Sequence, residues 1–150
     1  MARTYISGLD LANHFLKHSF RDKIPVNLMK LQRLAYYACV MYLQETETPM
    51  IDERFYVWKY GPVLHSLYYK FSVYKDEPIG KYARDAKGEI WVINSPEADA
   101  CCAYVWSKFR NMPTIELAER AHGDGSGWYA AFQREDQIIT LEDMRNDTTL

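Results

Sequence analysis

Apolar residues recur at helical spacing through much of this chain. Between residues 28 and 44 they cover one broad face, formed by Leu28, Leu31, Leu34, Ala35, Ala38, Met41 and Tyr42. A face this wide is typical of a helix that is packed on several sides, because a surface helix buries a narrower stripe. The pattern therefore predicts a central helix, and Asn27 is placed to cap its N-terminus.

The remaining helices are predicted from their capping residues. Ser7 and Asp10 have the spacing of a capping box, and the helical pattern behind them extends to about residue 20. Ser95, followed by Pro96 and an acidic first turn, predicts a helix to about residue 110. A short helix that Thr114 caps is predicted to about residue 121, and further short helices are predicted over residues 128–132 and from Thr140 onwards. Residues 146–150 are expected to fray.

Two segments have a strand-like pattern. Residues 55–60 alternate in the manner of a short strand, which ends at the Gly61-Pro62 corner. Proline is favoured at the first position of a helix, so the sequence predicts that a third helix begins there. Residues 79–94 contain Lys87-Gly88 between two short runs, which predicts a hairpin or an isolated strand pair.

These elements together predict a mainly α fold, a compact single-domain helical bundle with a small β-hairpin or short strand element. A chain of 150 residues is long enough to form one domain with its own hydrophobic core. Neither an internal repeat nor a long linker interrupts the pattern. We therefore expect one domain over residues 1–150.

Composition favours a protein-binding role. Twelve tyrosines, six phenylalanines and four tryptophans are more aromatic residues than a small core needs, and exposed tyrosine and tryptophan are typical of protein interfaces. The formal net charge of −2 gives no electrostatic footprint for nucleic acid or an anionic membrane. Three cysteines, no long apolar run and no signal-peptide pattern predict a cytoplasmic protein.

Candidate catalytic and metal sites are weak. His14 and His18 have a metal-ligand spacing, but no third ligand accompanies them in the sequence. Cys101 and Cys102 lie beyond the first turn of their predicted helix and lack a neighbouring histidine. The glycine-rich segment 123–127 follows a helix, whereas a phosphate-binding loop follows a strand. The sequence therefore predicts no catalytic residue, no metal and no cofactor.

Two stretches carry a resemblance to a known family. The first is Lys30-Leu31-Gln32-Arg33-Leu34, which continues to Tyr37 on the central helix. The second is Trp58-Lys59-Tyr60-Gly61-Pro62, some twenty residues later. In this order and at this separation they resemble the Panacea domain family, which includes SocA-like and prophage-associated antitoxins. The resemblance extends over nearly the whole chain. It also includes His122 and Trp128, which match a histidine and a tryptophan on either side of a short loop in the family.

The resemblance implies an antitoxin that neutralises a genetically adjacent toxin by direct protein–protein binding. Two alternatives stay open: a proteolytic adaptor that delivers the toxin to a Clp-type protease, and a phage-encoded protein that modulates its host. The expected partner is a cognate protein toxin, and a homo-oligomer remains open. Some family members carry an added DNA-binding region, for which 150 residues leave no room, so we expect no nucleic-acid partner.

The motif residues are expected to act mainly in the structure. Trp58 and Tyr60 would fix a strand-to-helix corner, Lys59 would point away from them, and Gln32 and Arg33 would be either solvated or bonded to that corner. Trp128 would fold its loop onto the core while His122 bonds to the backbone. Partner specificity would then come from solvent-facing residues, for which we single out Tyr68, Tyr69 and Ser126.

Overall fold

The computed structural model describes residues 5–91 and 93–150. Its helices are α1 (Gly8–Asp22), α2 (Leu28–Thr46), α3 (His65–Phe71), α4 (Pro96–Phe109), α5 (Thr114–His122), α6 (Gly127–Gln133) and α7 (Leu141–Arg145). The strands are β1 (Phe55–Trp58), β2 (Gly61–Leu64) and β3 (Ile138–Ile139), which form one antiparallel sheet in the order β2-β1-β3. The predicted mainly α fold is confirmed.

Helix α2 is the centre of this fold, as predicted. Every residue from 30 to 40 is buried, which is three consecutive turns without an exposed face. The helix packs against α1, α3, α4, α5, α7 and β2, so apolar neighbours surround it. Its aromatic side chains extend the core, since Tyr36 lies edge-on to Phe55 and Tyr37 stacks on Phe109.

Four of the predicted capping residues begin their helices, but the prediction that Thr114 is a cap is wrong, because Thr114 is the first residue of α5 and Pro113 before it makes no side-chain cap. The side chains of Ser7, Asn27, Ser95 and Thr140 each accept a hydrogen bond from the backbone N–H three residues later. Asp10 completes the capping box at α1 by accepting from the backbone of the cap residue. Helix starts were predictable because the capping bond joins residues within one turn of each other.

The Gly61-Pro62 corner differs from the prediction. It begins β2 and not a helix, and β2 pairs with β1 with Trp58 opposite Gly61. Lys59 and Tyr60 form the tight turn of this hairpin. Strand β1 therefore ends at Trp58, and the prediction that it continues to residue 60 is wrong. Helix α3 begins only at His65, where Leu64 makes no side-chain cap.

The hairpin predicted within residues 79–94 is also wrong. The described part of this segment contains no strand, and Val92 lies outside the described residues. Asp85 organises a turn instead, because its carboxylate accepts from the backbone N–H groups of Lys87 and Glu89. Gly88 has a φ of 80° in this turn, which glycine adopts without strain. Gly88 marked a turn, and the described residues on either side of that turn form no strand.

Residues 146–150 are anchored and not frayed, which corrects another expectation. The carboxylate of Asp147 is buried, accepting from the hydroxyl of Tyr36 at 2.6 Å and from the backbone N–H of Gly127 at 2.9 Å. Arg120 donates to the carbonyl of Thr149 at 2.6 Å. These partners come from α2, α5 and α6, so the segment ties three helices together.

We expect truncation of the central helix to destabilise the protein strongly. Leu31 and Leu34 are fully buried, and replacing either with alanine should lower the free energy of unfolding by about 2–5 kcal/mol. Leu141, which is 42% exposed, provides the matched control, and Leu141→Ala should lower the free energy of unfolding far less. Chemical denaturation of the three variants measures this. A loss for Leu31→Ala and Leu34→Ala no larger than that of the control would contradict the central position of α2.

Candidate functional site

Gln32 on α2 pairs with the edge of the sheet. Its side-chain amide donates to the carbonyl of Leu64 at 3.0 Å and accepts from the N–H of the same residue at 2.9 Å. Both backbone groups belong to β2, whose other edge faces β1. The amide of Gln32 therefore satisfies backbone groups that a further strand would otherwise pair.

Arg33 continues this pairing along β2. Its guanidinium donates to the carbonyl of Pro62 at 3.0 Å and to the carbonyl of Tyr60. Gly61, with a φ of 130°, lies directly against it, and a Cβ there would approach the Nε atom of Arg33 to 2.7 Å. Only glycine combines this backbone conformation with such a close approach.

The sequence motif on α2 is therefore explained by its contacts. Lys30 donates to the carbonyl of Arg110 at the end of α4, while Leu31, Leu34 and Tyr37 are fully buried in the core. For Gln32 and Arg33, which were expected to be solvated or bonded to the corner, the structure shows the bonded arrangement. The sequence alone could not distinguish solvated side chains from bonded ones, because either arrangement suits polar residues that lie beside the apolar face of α2.

Trp128 on α6 bonds to the hairpin at the end of β1. Its indole N–H donates to the carbonyl of Trp58 at 2.8 Å, and its side chain is buried, as the sequence predicted. His122 packs edge-on against Trp128, with ring centroids 5.3 Å apart. The expected backbone bond from His122 is not seen, since its buried Nδ1 atom has no hydrogen-bond partner among the described residues.

An aromatic cluster lies on the outer side of the hairpin and α3. We use this name for Tyr56, Trp58, His65, Tyr68 and Tyr69. Tyr56 stacks on His65 with centroids 3.8 Å apart, and Trp58 packs edge-on against Tyr68 at 4.8 Å. Tyr69 contacts both His65 and Tyr68 and is 73% exposed. The cluster therefore presents aromatic rings that are held in place and accessible.

Two members of the aromatic cluster were not singled out from the sequence. Tyr56 is two residues before Trp58, so both rings lie on one face of β1. His65 is three and four residues before Tyr68 and Tyr69, which places the three side chains on one face of α3. These spacings were readable, but only the hairpin brings the strand face against the helix face.

A groove of about 420 Å³ runs beside the aromatic cluster. It is lined by the buried side chains of Gln32 and Arg33 and by the rings of Trp58, Tyr60 and Tyr68, of which Tyr60 and Tyr68 are exposed. The full set of lining residues is Leu28, Met29, Gln32, Arg33, Trp58, Lys59, Tyr60, Val63, Tyr68, Ser72, Lys75 and Asp76. Its volume is within the range of about 300–1,000 Å³ that is usual for ligand pockets. The motif residues of α2 and of the hairpin turn thus meet at one surface feature.

Ser126 is not a surface residue. It is 3% exposed, and its hydroxyl accepts from the backbone N–H of Tyr129 as the N-cap of α6. The expectation that Ser126 faces solvent beside Tyr68 and Tyr69 is wrong, because the loop that carries it folds inward to begin a helix. Tyr68 and Tyr69, by contrast, are both exposed in the aromatic cluster.

The groups considered for catalysis or metal binding have packing roles. Burial raises the pKa of the thiols of Cys39, Cys101 and Cys102, that of Cys101 to about 11, which leaves them protonated and poorly nucleophilic at neutral pH. His18 stacks on Trp106, and burial lowers its pKa to about 4. Residues 5–91 and 93–150 hold no group of three potential metal ligands, and no helix within them is long and apolar enough to cross a membrane.

Two comparisons with known proteins both identify SocA-like antitoxins as similar to this chain. A sequence profile of the family described as antitoxin SocA-like, Panacea domain, matches residues 31–129, which include the hairpin motif and nearly all of the α2 motif. Antitoxin SocA of Caulobacter vibrioides (strain NA1000 / CB15N) is 27% identical over 124 residues, 79% of this chain and 66% of that protein. The chain thus spans just under two thirds of the length of this relative. No solved structure matches the chain.

We expect the bond between Gln32 and β2 to be a main support of the hairpin. Gln32→Met keeps the length of the side chain but leaves the buried N–H and carbonyl of Leu64 unpaired, which should cost about 2–4 kcal/mol of unfolding free energy. Gln137, which is exposed, provides the control, and Gln137→Met should stay within about 0.5 kcal/mol of the parent. Urea unfolding compares the two. Equal stability of both variants would mean that α2 does not hold the hairpin through this amide.

Proposed function

This chain belongs to the SocA-like, Panacea-domain antitoxin family, and we propose that it neutralises a toxin encoded beside it by direct protein–protein binding. We place this activity in the cytoplasm. The observation that carries the proposal is the aromatic cluster on the hairpin and α3, which leaves Tyr68 39% and Tyr69 73% exposed. We assign this surface, together with the adjoining groove, as the toxin-binding face.

The physical argument rests on the cost of forming an interface. Tyrosine and tryptophan dominate binding energy at protein interfaces because each buries a large area and loses few rotamers. Here the rings of Trp58, His65 and Tyr68 already pack against one another. Binding would therefore cost little side-chain entropy, because these side chains are ordered before the toxin arrives. Such a surface favours a stable complex.

The side chains considered for catalysis favour neutralisation by binding over a chemical reaction on the toxin. The thiols are protonated at neutral pH, and the histidines of α1 are engaged, since the Nε2 atom of His14 lies 2.8 Å from Asp99 and His18 packs on Trp106. Delivery to a Clp-type protease would also need only protein surfaces. The two mechanisms differ in the fate of the toxin, which is preserved by sequestration and lost by delivery.

We expect neutralisation to require a fixed molar ratio. Purified with the product of the neighbouring gene, the protein should form a complex that persists through size-exclusion chromatography, and toxin activity should reach zero when the two are present at that ratio. The half-life of the toxin in cells should not shorten when this protein is present. Inactivation by a strongly substoichiometric amount without protease would contradict binding by occupancy, and a protease-dependent loss of toxin would favour the adaptor mechanism.

We expect Tyr69 to contribute to toxin binding but little to folding. Because its side chain is 73% exposed, Tyr69→Ala should leave the melting temperature nearly unchanged while weakening toxin binding by about tenfold or more. Tyr104 on α4 is 48% exposed and outside the aromatic cluster, so Tyr104→Ala is the matched control. Thermal melts paired with calorimetric titration of the toxin separate the two effects. Unchanged affinity in Tyr69→Ala would place the toxin-binding face elsewhere.

A further inference from the structure

The groove beside the aromatic cluster carries an excess of positive charge. Arg33, Lys59 and Lys75 line it, against Asp76 as the acidic residue among its lining residues. The chain as a whole has a formal net charge of −2, so this local excess is opposite to the charge of the molecule. Lys59 and Lys75 are exposed at the rim, where they can meet a ligand directly.

Arg33 is the unusual member of this set. Its side chain is 3% exposed, yet its guanidinium bonds only to backbone carbonyls, and its Nε atom has no hydrogen-bond partner among the described residues. No carboxylate of the described residues forms an ion pair with it. Burial lowers its pKa to about 10, which still leaves the group charged at neutral pH. A buried cation without a counter-ion is costly, and a nearby anion would relieve that cost.

Apart from Gln32 and Ser72, the remaining lining is apolar or aromatic. Leu28, Met29 and Val63 lie with the rings of Trp58 and Tyr60 along the groove. A free inorganic anion would leave this surface uncovered, whereas a peptide segment that alternates acidic and apolar side chains could match both the charge and the apolar wall. The charge pattern and the apolar lining therefore specify the same class of occupant.

We propose that this groove binds an acidic segment of the toxin, with a glutamate or aspartate carboxylate placed between Lys59 and Lys75 above Arg33 and a neighbouring apolar side chain against the aromatic wall. This inference rests on the proposed function and specifies how the toxin is recognised. The Nε atom of Arg33 is closed to solvent, so the carboxylate would interact with the charge of the guanidinium. The ammonium groups of the two lysines would make the direct hydrogen bonds.

The first test uses a defined probe and does not depend on the toxin. The probe is a hexapeptide that alternates glutamate and leucine, acetylated and amidated so that only side-chain carboxylates are present. The control is the same peptide with lysine at each glutamate. In NMR titrations of the full chain, only the glutamate peptide should shift the signals of Trp58, Lys59, Tyr60 and Tyr68. Equal shifts with both peptides, or shifts spread over the whole surface, would overturn the proposal.

Charge reversal tests the contribution of the rim lysines. Lys59→Glu combined with Lys75→Glu should weaken binding of the glutamate peptide by about tenfold, since two attractive pairs become repulsive. Lys81→Glu combined with Lys87→Glu changes the net charge equally at exposed positions outside the groove, and should leave the affinity unchanged. Melting temperatures near that of the parent would show that both double variants fold. Equal affinity of the two double variants would overturn the proposal.

The same variants applied to the toxin separate this inference from the proposed function. The association rate constant of toxin binding should fall by about tenfold in Lys59→Glu/Lys75→Glu, and its dependence on salt should weaken. If the parent neutralises the toxin and this double variant does so equally fast, the groove inference fails while the antitoxin function stands. If the peptide binds in the groove but the parent does not neutralise the neighbouring gene product, the proposed function fails and the groove remains a site for acidic segments.

Discussion

The hydrogen bonds between α2 and the edge of β2 are the constraint on which the rest of the structure depends. Gln32 and Arg33 project from the central helix and occupy backbone groups of β2 and of the turn before it. The hairpin is short, and two short strands alone are only marginally stable in water. Because α2 fixes its position, the hairpin can present Trp58 to His65 and Tyr68 of α3 in the aromatic cluster and place Tyr60 along the groove.

This arrangement combines a structural role with a functional one. Replacing Arg33 by an apolar residue would remove a buried charge, yet it would also leave the carbonyls of Tyr60 and Pro62 without their donor. The guanidinium therefore stabilises the turn while its charge stays without a carboxylate among the described residues. An uncompensated charge beneath an exposed groove is well placed to favour an acidic partner, which connects the stability of the hairpin with recognition.

The last residues of the chain support α2 one turn further along. Asp147 accepts from the hydroxyl of Tyr36, and Thr149 lies 2.8 Å from the hydroxyl of Tyr37. Burial, reinforced by the carboxylate of Asp147, raises the pKa of Tyr36 well above its ordinary value, so the phenol remains a donor to that carboxylate. Neighbouring segments of one helix thus hold two distant parts of the chain, the hairpin through Gln32 and Arg33 and the C-terminal segment through the two tyrosines.

The sequence by itself determined most of the helices, the caps of α1, α2, α4 and α7, and the central position of α2, because apolar periodicity and capping bonds act within a few residues of each other. The two stretches that carry the family resemblance were equally readable. Tertiary structure alone decided the hairpin at Gly61, whose second strand is bonded at Leu64 by Gln32, 32 residues earlier. It likewise decided the anchoring of Asp147, whose partner Tyr36 is 111 residues away. It also decided that Ser126 is buried and that Tyr56 and His65 join Tyr68 in one cluster. Such contacts depend on how helices and strands meet in space, and no local pattern records that.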